Sequence, residues 1–255
     1  MSDTINETSN GLLSSKLSVG DSISTLVGNW KFDDQVAQNF DSHVVKSIPL
    51  YNELQRTVVD ISEWFIRDGS IVYDIGAATG ATLTLLAKKH EDKSFVQLIG
   101  IESSKPMVAE AMKKCATSPN ISFLNHDVTD IANFNSASLI ISIYTIQFLH
   151  LGKRKKLFQR IYDDLLDGGA FILSEKVRAE SSFFEDIWLE LHWDYKERQG
   201  LTSSMIIEKA KSLRGILDPL SLDSNIKLLK SAGFSHVEVI MKWCNFVTIV
   251  ATKGR

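Results

Sequence analysis

Asp74-Ile75-Gly76-Ala77-Ala78-Thr79-Gly80 closes a short β-branched run, Ser70 to Ile75, and opens a segment with helical spacing, Ala81 to His90. Strand, glycine turn and helix form the repeating unit of doubly wound α/β sheets. A glycine at the end of such a strand lets the backbone come close to a bound molecule, and the turn faces the carboxyl ends of the strands, where open α/β sheets hold ligands. Position 78 is Ala where the commoner motif has a third glycine. Taken alone, the heptapeptide fits a ligand turn and tight helix–strand packing equally well.

The pattern continues outward from this turn. Phe95 to Ile101 is expected as a second strand ending at Glu102, followed by a helix from about Lys105 that Pro106 opens. Ile121 to Leu124 reads as a third strand, ending in Asn125-His126-Asp127. Leu139 to Tyr144 is nearly all apolar, as a parallel strand covered on both faces should be. Gly152 to Leu166 reads as a helix stopping at Asp167-Gly168-Gly169, and Ala170 to Leu173 as a fifth strand. Upstream, Gly28 to Phe40 and Tyr51 to Phe65 carry amphipathic spacing on either side of Ser47-Ile48-Pro49, giving two lid helices within residues 28–69. Residues 177–223 lack strand signal and form a helical insert. Ser224 to Ser231, Ala232-Gly233-Phe234 and the runs Val237 to Met241 and Phe246 to Ala251 predict a helix and a closing hairpin. The expected architecture is a Rossmann-like, mostly parallel α/β sheet with an antiparallel C-terminal hairpin strand, one domain over residues 28–255 after a flexible tail at 1–27.

Composition narrows the classes of function. A chain of 255 residues with 44% hydrophobic content buries one large core or two small ones. Lys and Arg number 28 against 31 Asp and Glu, a net charge of -3, so no field of the whole molecule would hold a polyanion. Cys115 and Cys244 are far apart and in no CxxC spacing, which argues against a disulfide framework or a structural zinc site and fits the reducing cytoplasm. No metal is expected. No run approaches the roughly 18 apolar residues of a membrane span, and the N-terminus has no basic segment leading into an apolar one.

The strand ends carry the chemistry. Glu102 lies 22 residues after Gly80, at the tip of the second strand, where an acid accepts hydrogen bonds from two ribose hydroxyls. A surface acid at a strand end is the bland alternative. Asp127 with Val128 suits an adenine, the acid or backbone meeting the exocyclic amine and the valine packing on the ring. The turn lacks the Lys-Ser/Thr of a phosphate loop, and its acids would repel pyrophosphate. S-adenosylmethionine is the nucleoside cofactor that fits. Asp74, Gly76, Ala77, Ala78 and Gly80 of the turn belong to the expected cofactor-binding set.

In the insert, Phe184, Trp188, Leu191, His192 and Tyr195 fall at helical spacing, as a substrate wall or as plain packing. His192 is the candidate general base, against the bland reading of a hydrogen-bonded core histidine that also applies to His43 and His126. Tyr51 is the second candidate catalytic residue, its ring or hydroxyl near the sulfonium, a cation that aromatic faces attract. Lys153-Arg154-Lys155-Lys156 is the one basic run; it reads as a solvated face rather than an RNA contact.

The chain resembles the class I S-adenosylmethionine-dependent methyltransferases, whose sheets finish with such a hairpin, and within them the carboxy-S-adenosyl-L-methionine synthase family. The resemblance rests on Gly28-Asn29-Trp30-Lys31-Phe32-Asp33-Asp34-Gln35-Val36-Ala37, Ser47-Ile48-Pro49-Leu50-Tyr51, Tyr73-Asp74-Ile75-Gly76, Gln147-Phe148-Leu149, Leu173-Ser174-Glu175-Lys176 and Ala232-Gly233-Phe234. It implies a homodimer that converts S-adenosylmethionine and prephenate into the carboxylated cofactor used in a tRNA wobble-uridine modification. It also implies cofactor contacts at Tyr51, Gly76, Ala77, Ala78, Glu102, Ser103, Asp127 and Val128. Two positions depart from the family. Ile143 stands where an asparagine touches the cofactor, and Ala210 where an arginine binds the added carboxylate, a pairing no methyl group replaces. Lys209, Lys211 or Arg214 would take over if the helix were shifted.

Those departures favour a methyltransferase that moves the methyl group directly to a small-molecule acceptor. The alternatives are the family reaction itself and a non-catalytic cofactor-binding adaptor. A cytoplasmic homodimer without an RNA or membrane partner is expected in the first two cases.

Overall fold

The computed structural model describes residues 16–254. Of the expected flexible tail, residues 1–15 lie outside the described residues. Residues 16–27 are a correction: β1 (Leu17–Ser18) and β2 (Ser24–Thr25) pair as an antiparallel hairpin. Val19 and Ile23 between them are 1% exposed and pack with Trp30, Val36 and Met107. The polar composition of the stretch concealed these two apolar anchors.

The chain then runs through α1 (Asp34–Ser47), α2 (Tyr51–Ser62), β3 (Ile71–Ile75), α3 (Ala81–Lys89), β4 (Gln97–Ile101), α4 (Lys105–Lys114), β5 (Ile121–Leu124) and β6 (Ala137–Ile143). It continues with α5 (Leu151–Asp164), β7 (Leu165–Lys176), α6 (Ser182–Arg198), α7 (Ser203–Ser212), α8 (Leu222–Ser231), β8 (His236–Trp243) and β9 (Phe246–Thr252). Seven strands form one sheet in the order β5-β4-β3-β6-β7-β9-β8. Only β9 runs against its neighbours, lying between β7 and β8. The architecture is the expected one. The winding reverses between β3 and β6, which opens a crevice at the carboxyl ends of those strands.

Burial explains why the sheet forms where it does. Leu139, Ile140 and Ile141 of β6 are all fully buried, because helices cover both faces. On one face Phe158, Ile161, Phe171 and Leu229 join α5 and α8 to the sheet. On the other, Leu54, Val58, Leu83 and Leu86 do so for α2 and α3.

Several boundaries differ from the expectations. The first helix begins at Asp34, not Gly28: the Asp33 carboxylate accepts the Val36 N–H and caps it, leaving Trp30 and Phe32 in extended chain free to turn inward. Phe95 is 88% exposed with φ +60°, so the second sheet strand starts only at Gln97. Leu165 and Leu166 belong to β7, not to the preceding helix. Leu165 pairs with Ala137, and a register shift before Leu139 absorbs the extra residues. Gly169 allows that shift, since a Cβ there would lie 2.8 Å from the Leu166 carbonyl and 3.0 Å from that of Ser138.

Ala78 holds φ +47°, the left-handed region, in the turn after β3. An L side chain is strained there, so Ala78→Gly is expected to raise unfolding free energy by about 1 kcal/mol. Urea denaturation checks this; an unchanged or lower midpoint contradicts it.

Candidate functional site

A cavity of about 340 Å³ opens at the crevice between β3 and β6. Every residue of the expected cofactor set lines it except Gly80. Ile143, at the end of β6, contributes only an apolar side chain. A Cβ on Gly80 would meet the Cys115 thiol at 2.9 Å and the Phe123 ring at 3.0 Å, so that glycine serves the packing of α3 against α4 and β5.

The β3–α3 turn is built by three backbone donors. The N–H groups of Gly76 and Ala77 both donate to the Ile101 carbonyl, at 2.7 and 3.2 Å, and that of Ala78 donates to Glu102 Oε2 at 3.1 Å. Gly76 has φ +73°, and a Cβ on it would stand 2.1 Å from Thr145 Oγ1. Glu102 Oε1 accepts the Ser104 N–H at 2.8 Å. A carboxylate accepts about four hydrogen bonds, so positions for a ribose diol are left on Glu102. Asn125 Nδ2 donates to the carbonyls of Glu102 and Ser103 and fixes the end of β4 beside β5. Asp127 Oδ1 accepts the Thr129 N–H at 2.8 Å, capping a short 3-10 turn that presents Val128 to the cavity.

This end of the cavity is acidic and lacks a counter-charge. Asp74 is 3% exposed, and its side chain makes no hydrogen bond or ion pair among the described residues. Burial first, and the Glu102 charge second, push its carboxyl up to about 7. Burial also raises Glu102, against the backbone N–H groups that favour its ionised form. Two adjoining buried carboxyls, a diol-accepting geometry and an apolar shelf at Val128 fit S-adenosylmethionine, a cationic nucleoside.

Aromatic rings roof the cavity. Phe32 packs edge-on against Phe40 and Phe148, and Tyr51 stands at the first turn of α2. Burial holds the Tyr51 phenol far above its ordinary range, so it is a neutral ring near the acids.

The insert supplies the opposite wall, but not with the expected face. Leu189, His192, Trp193 and Lys196 line the cavity, whereas Phe184 and Leu191 do not. Trp188 instead meets the Lys242 ammonium, and Tyr195 Oη donates to the Val45 carbonyl at 2.6 Å. His192 Nε2 lies 2.8 Å from the Ser47 carbonyl, which fixes the proton on that nitrogen. Burial, then Lys196, depress its pKa to about 3. His192 is therefore neutral and weakly basic, a poor match to the general-base expectation. His43 pairs with Asp21 and stacks on Trp30, while burial and Lys209 lower it to about 4. His126 lines the cavity beside Asp127.

Two lysines went unrecognised in the sequence as site residues, Lys176 at the end of β7 and Lys196 on α6; Lys209 on α7, expected only as one of three stand-ins for an arginine in a shifted helix, lines the cavity with them. Lys196 was legible, four residues after His192 and three after Trp193 on one helical face. Burial, then Lys176, pull Lys196 down from 10.5 to about 7. A lysine depressed in the folded state destabilises it wherever the unfolded chain still holds the proton. The penalty is full below about 7 and vanishes as pH rises through 10.5. Lys196→Met is thus expected to stabilise the ligand-free protein at pH 7 by on the order of 3 kcal/mol. The gain should shrink toward pH 10.5. Thermal melts across that range check it, and a gain independent of pH would contradict it.

The basic run does not form one solvated face. Arg154 is 1% exposed and turned into the protein, donating to the carbonyls of Gln147, Leu149 and Asp218. No helix among the described residues is long and apolar enough to cross a membrane.

Comparison with known proteins agrees with this geometry. A family described as a methyltransferase domain matches residues 72–169. The chain is 36% identical over 225 residues to the carboxy-S-adenosyl-L-methionine synthase of Nautilia profundicola, covering 88% of this chain and 94% of the relative. Identity to the enzyme of the same name from Staphylococcus epidermidis is 40%, over 88% of this chain and 97% of the relative. Among solved structures, human N-acetylserotonin methyltransferase in complex with S-adenosylmethionine superposes with a TM-score of 0.58 at 17% identity, over 87% of this chain and 56% of that one. A Methanococcus maripaludis structure described as a putative S-adenosylmethionine-dependent methyltransferase gives 0.58 at 22% identity, over 89% and 96%.

Proposed function

Because the chain belongs to the carboxy-S-adenosyl-L-methionine synthase family, an S-adenosylmethionine-dependent branch of the class I methyltransferase fold, we propose that it carboxylates S-adenosylmethionine at the expense of prephenate. The extent of the relationship carries this reading: similarity spans 88% of the chain, against a methyltransferase-domain match confined to residues 72–169. Direct methyl transfer to a small-molecule acceptor, the expectation built on Ile143 and Ala210, has less support.

When bound, S-adenosylmethionine supplies a methyl carbon whose hydrogens are acidified by the sulfonium. A carboxyl group replaces one of those hydrogens, which leaves as a proton. Prephenate loses carbon dioxide and hydroxide as its ring becomes aromatic; the hydroxide takes up the proton as water, and phenylpyruvate leaves. The atoms balance without a protein base, which agrees with a His192 that is neutral and hydrogen-bonded to Ser47. The protein's part is placement and exclusion of water. Glu102 and Asp127 hold the nucleoside, Asp74 and the Tyr51 ring face the positive end, and Trp30 and Phe32 close the roof.

The same reading puts the reaction in the cytoplasm and the protein in a homodimer, with the exposed Phe183, Phe184 and Leu191 of α6 available to a second copy. RNA has no direct place in it. Mass spectrometry of the small molecule retained by the purified protein tests the proposal. A cofactor heavier than S-adenosylmethionine by one carbon dioxide is expected; retention of methyl-donor species alone, unchanged by added prephenate, contradicts it.

A further inference from the structure

From the placement of Lys176, Lys196 and Lys209 along the cavity, we infer that these three residues form the receptor for a doubly negative organic acid. The inference rests on the reading above and assigns its acid-binding residues. Three different elements, β7, α6 and α7, deliver an ammonium group to the same space. None of the three groups makes an ion pair or hydrogen bond among the described residues. Glu185, the one acid acting on Lys176, is engaged by the Ala179 N–H. Lys209 rests on the face of the Trp30 indole, which fixes it without neutralising it.

The lysines also oppose one another: Lys176 acts on Lys196, and Lys196 on Lys209. Three ammonium groups gathered in a desolvated space without an acid are driven to give up protons at a cost to the empty protein, and a polyvalent anion between them restores their charged forms and reverses the sign of that energy. A monocarboxylate would leave most of the repulsion in place. Asp74 and Glu102 line the same cavity with the contrary sign, and neither is among the groups acting on the three lysines, so a cationic cofactor and an anionic co-substrate are sorted to separate positions by charge. Lys211 and Arg214, which do not line the cavity, have no part in this.

Calorimetry on the full chain saturated with S-adenosylhomocysteine tests the assignment, with phenylmalonate and phenylacetate as the dianionic and monoanionic probes. Phenylmalonate is expected to bind at least about tenfold more tightly, and Lys196→Met and Lys209→Met each to weaken it by about tenfold. Retained affinity for S-adenosylhomocysteine shows that the variants are folded. Equal binding of the two probes, or phenylmalonate affinity untouched in both variants, overturns the inference. The two readings fail separately. Lysine-dependent binding of phenylmalonate without any carboxylated product from prephenate sinks the proposed reaction and keeps this site. Product formation with an unchanged KM for prephenate in both variants sinks this site and keeps the reaction.

Discussion

Gly76→Val is expected to abolish S-adenosylmethionine binding. Two obstacles coincide at this position. The backbone holds φ +73°, where an L residue costs about 1–2 kcal/mol. A Cβ would also press on Thr145, 2.1 Å from Oγ1 and 2.7 Å from Cβ, and valine adds two methyl groups. The turn then gives way, and with it the Ala78 N–H that orients Glu102. Calorimetry with S-adenosylhomocysteine should detect no heat of binding, and affinity within threefold of the parent would refute the placement of the cofactor. The double variant Gly76→Ala, Thr145→Gly separates folding from binding. It removes the clash with Thr145, so it should fold, yet it should still bind weakly because Gly76 lines the cavity and a side chain there hinders close approach of the backbone to the ligand. Full recovery of affinity would assign Gly76 to packing against Thr145 alone.

Arg154→Ala is expected to cost about 3–5 kcal/mol of stability. Its Nε donates to the Leu149 carbonyl at 2.8 Å, and Nη2 to those of Gln147 and Asp218 at 3.0 and 2.6 Å. The loop after β6 and the segment before α8 are thereby tied together. Glu175, fully buried next to this loop, accepts the Gln147 N–H and is pushed up to about 8 by burial, with the Arg154 charge drawing it back. Removing the guanidinium takes three hydrogen bonds from these carbonyls, leaving the one at Gln147 only the Asp218 N–H, opens a cavity and takes away the charge that faces Glu175. Arg154→Lys should recover little, since one ammonium cannot reproduce the fork. Guanidinium denaturation measures both variants; a loss below about 1 kcal/mol for the alanine variant would show that the buried arginine is not holding this loop.

Hydrophobic periodicity and turn chemistry made most of the fold legible. Strands such as Ile121–Leu124 and helices such as Tyr51–Ser62 announce themselves by local pattern. Boundaries were lost where a tertiary pairing overrode that pattern. Leu165 continues the apolar spacing of α5 yet finds a partner in Ala137, and Phe95 looks like a strand residue yet turns outward at positive φ. The nucleoside half of the site was readable because its acids lie at or within a few residues of strand ends, as Glu102 follows Ile101. The acid half was readable only in part. Lys209 was one of three alternatives on its helix and Lys196 shares a helical face with His192, but the three lysines lie on elements far apart in the chain, and a lysine in sequence does not show which others its ammonium will join. Arg154 shows the converse: within Lys153 to Lys156 it looked like part of a solvated face, and only tertiary structure reveals that it is buried.

Incubation of the protein with S-adenosylmethionine and prephenate, followed by the mass of the nucleoside product and assay of phenylpyruvate, tests the central claim most directly. The account predicts a nucleoside heavier by one carbon dioxide, formed in step with phenylpyruvate and absent when prephenate is omitted. Unchanged S-adenosylmethionine in the presence of prephenate, or S-adenosylhomocysteine formed with a methylated acceptor, would contradict it.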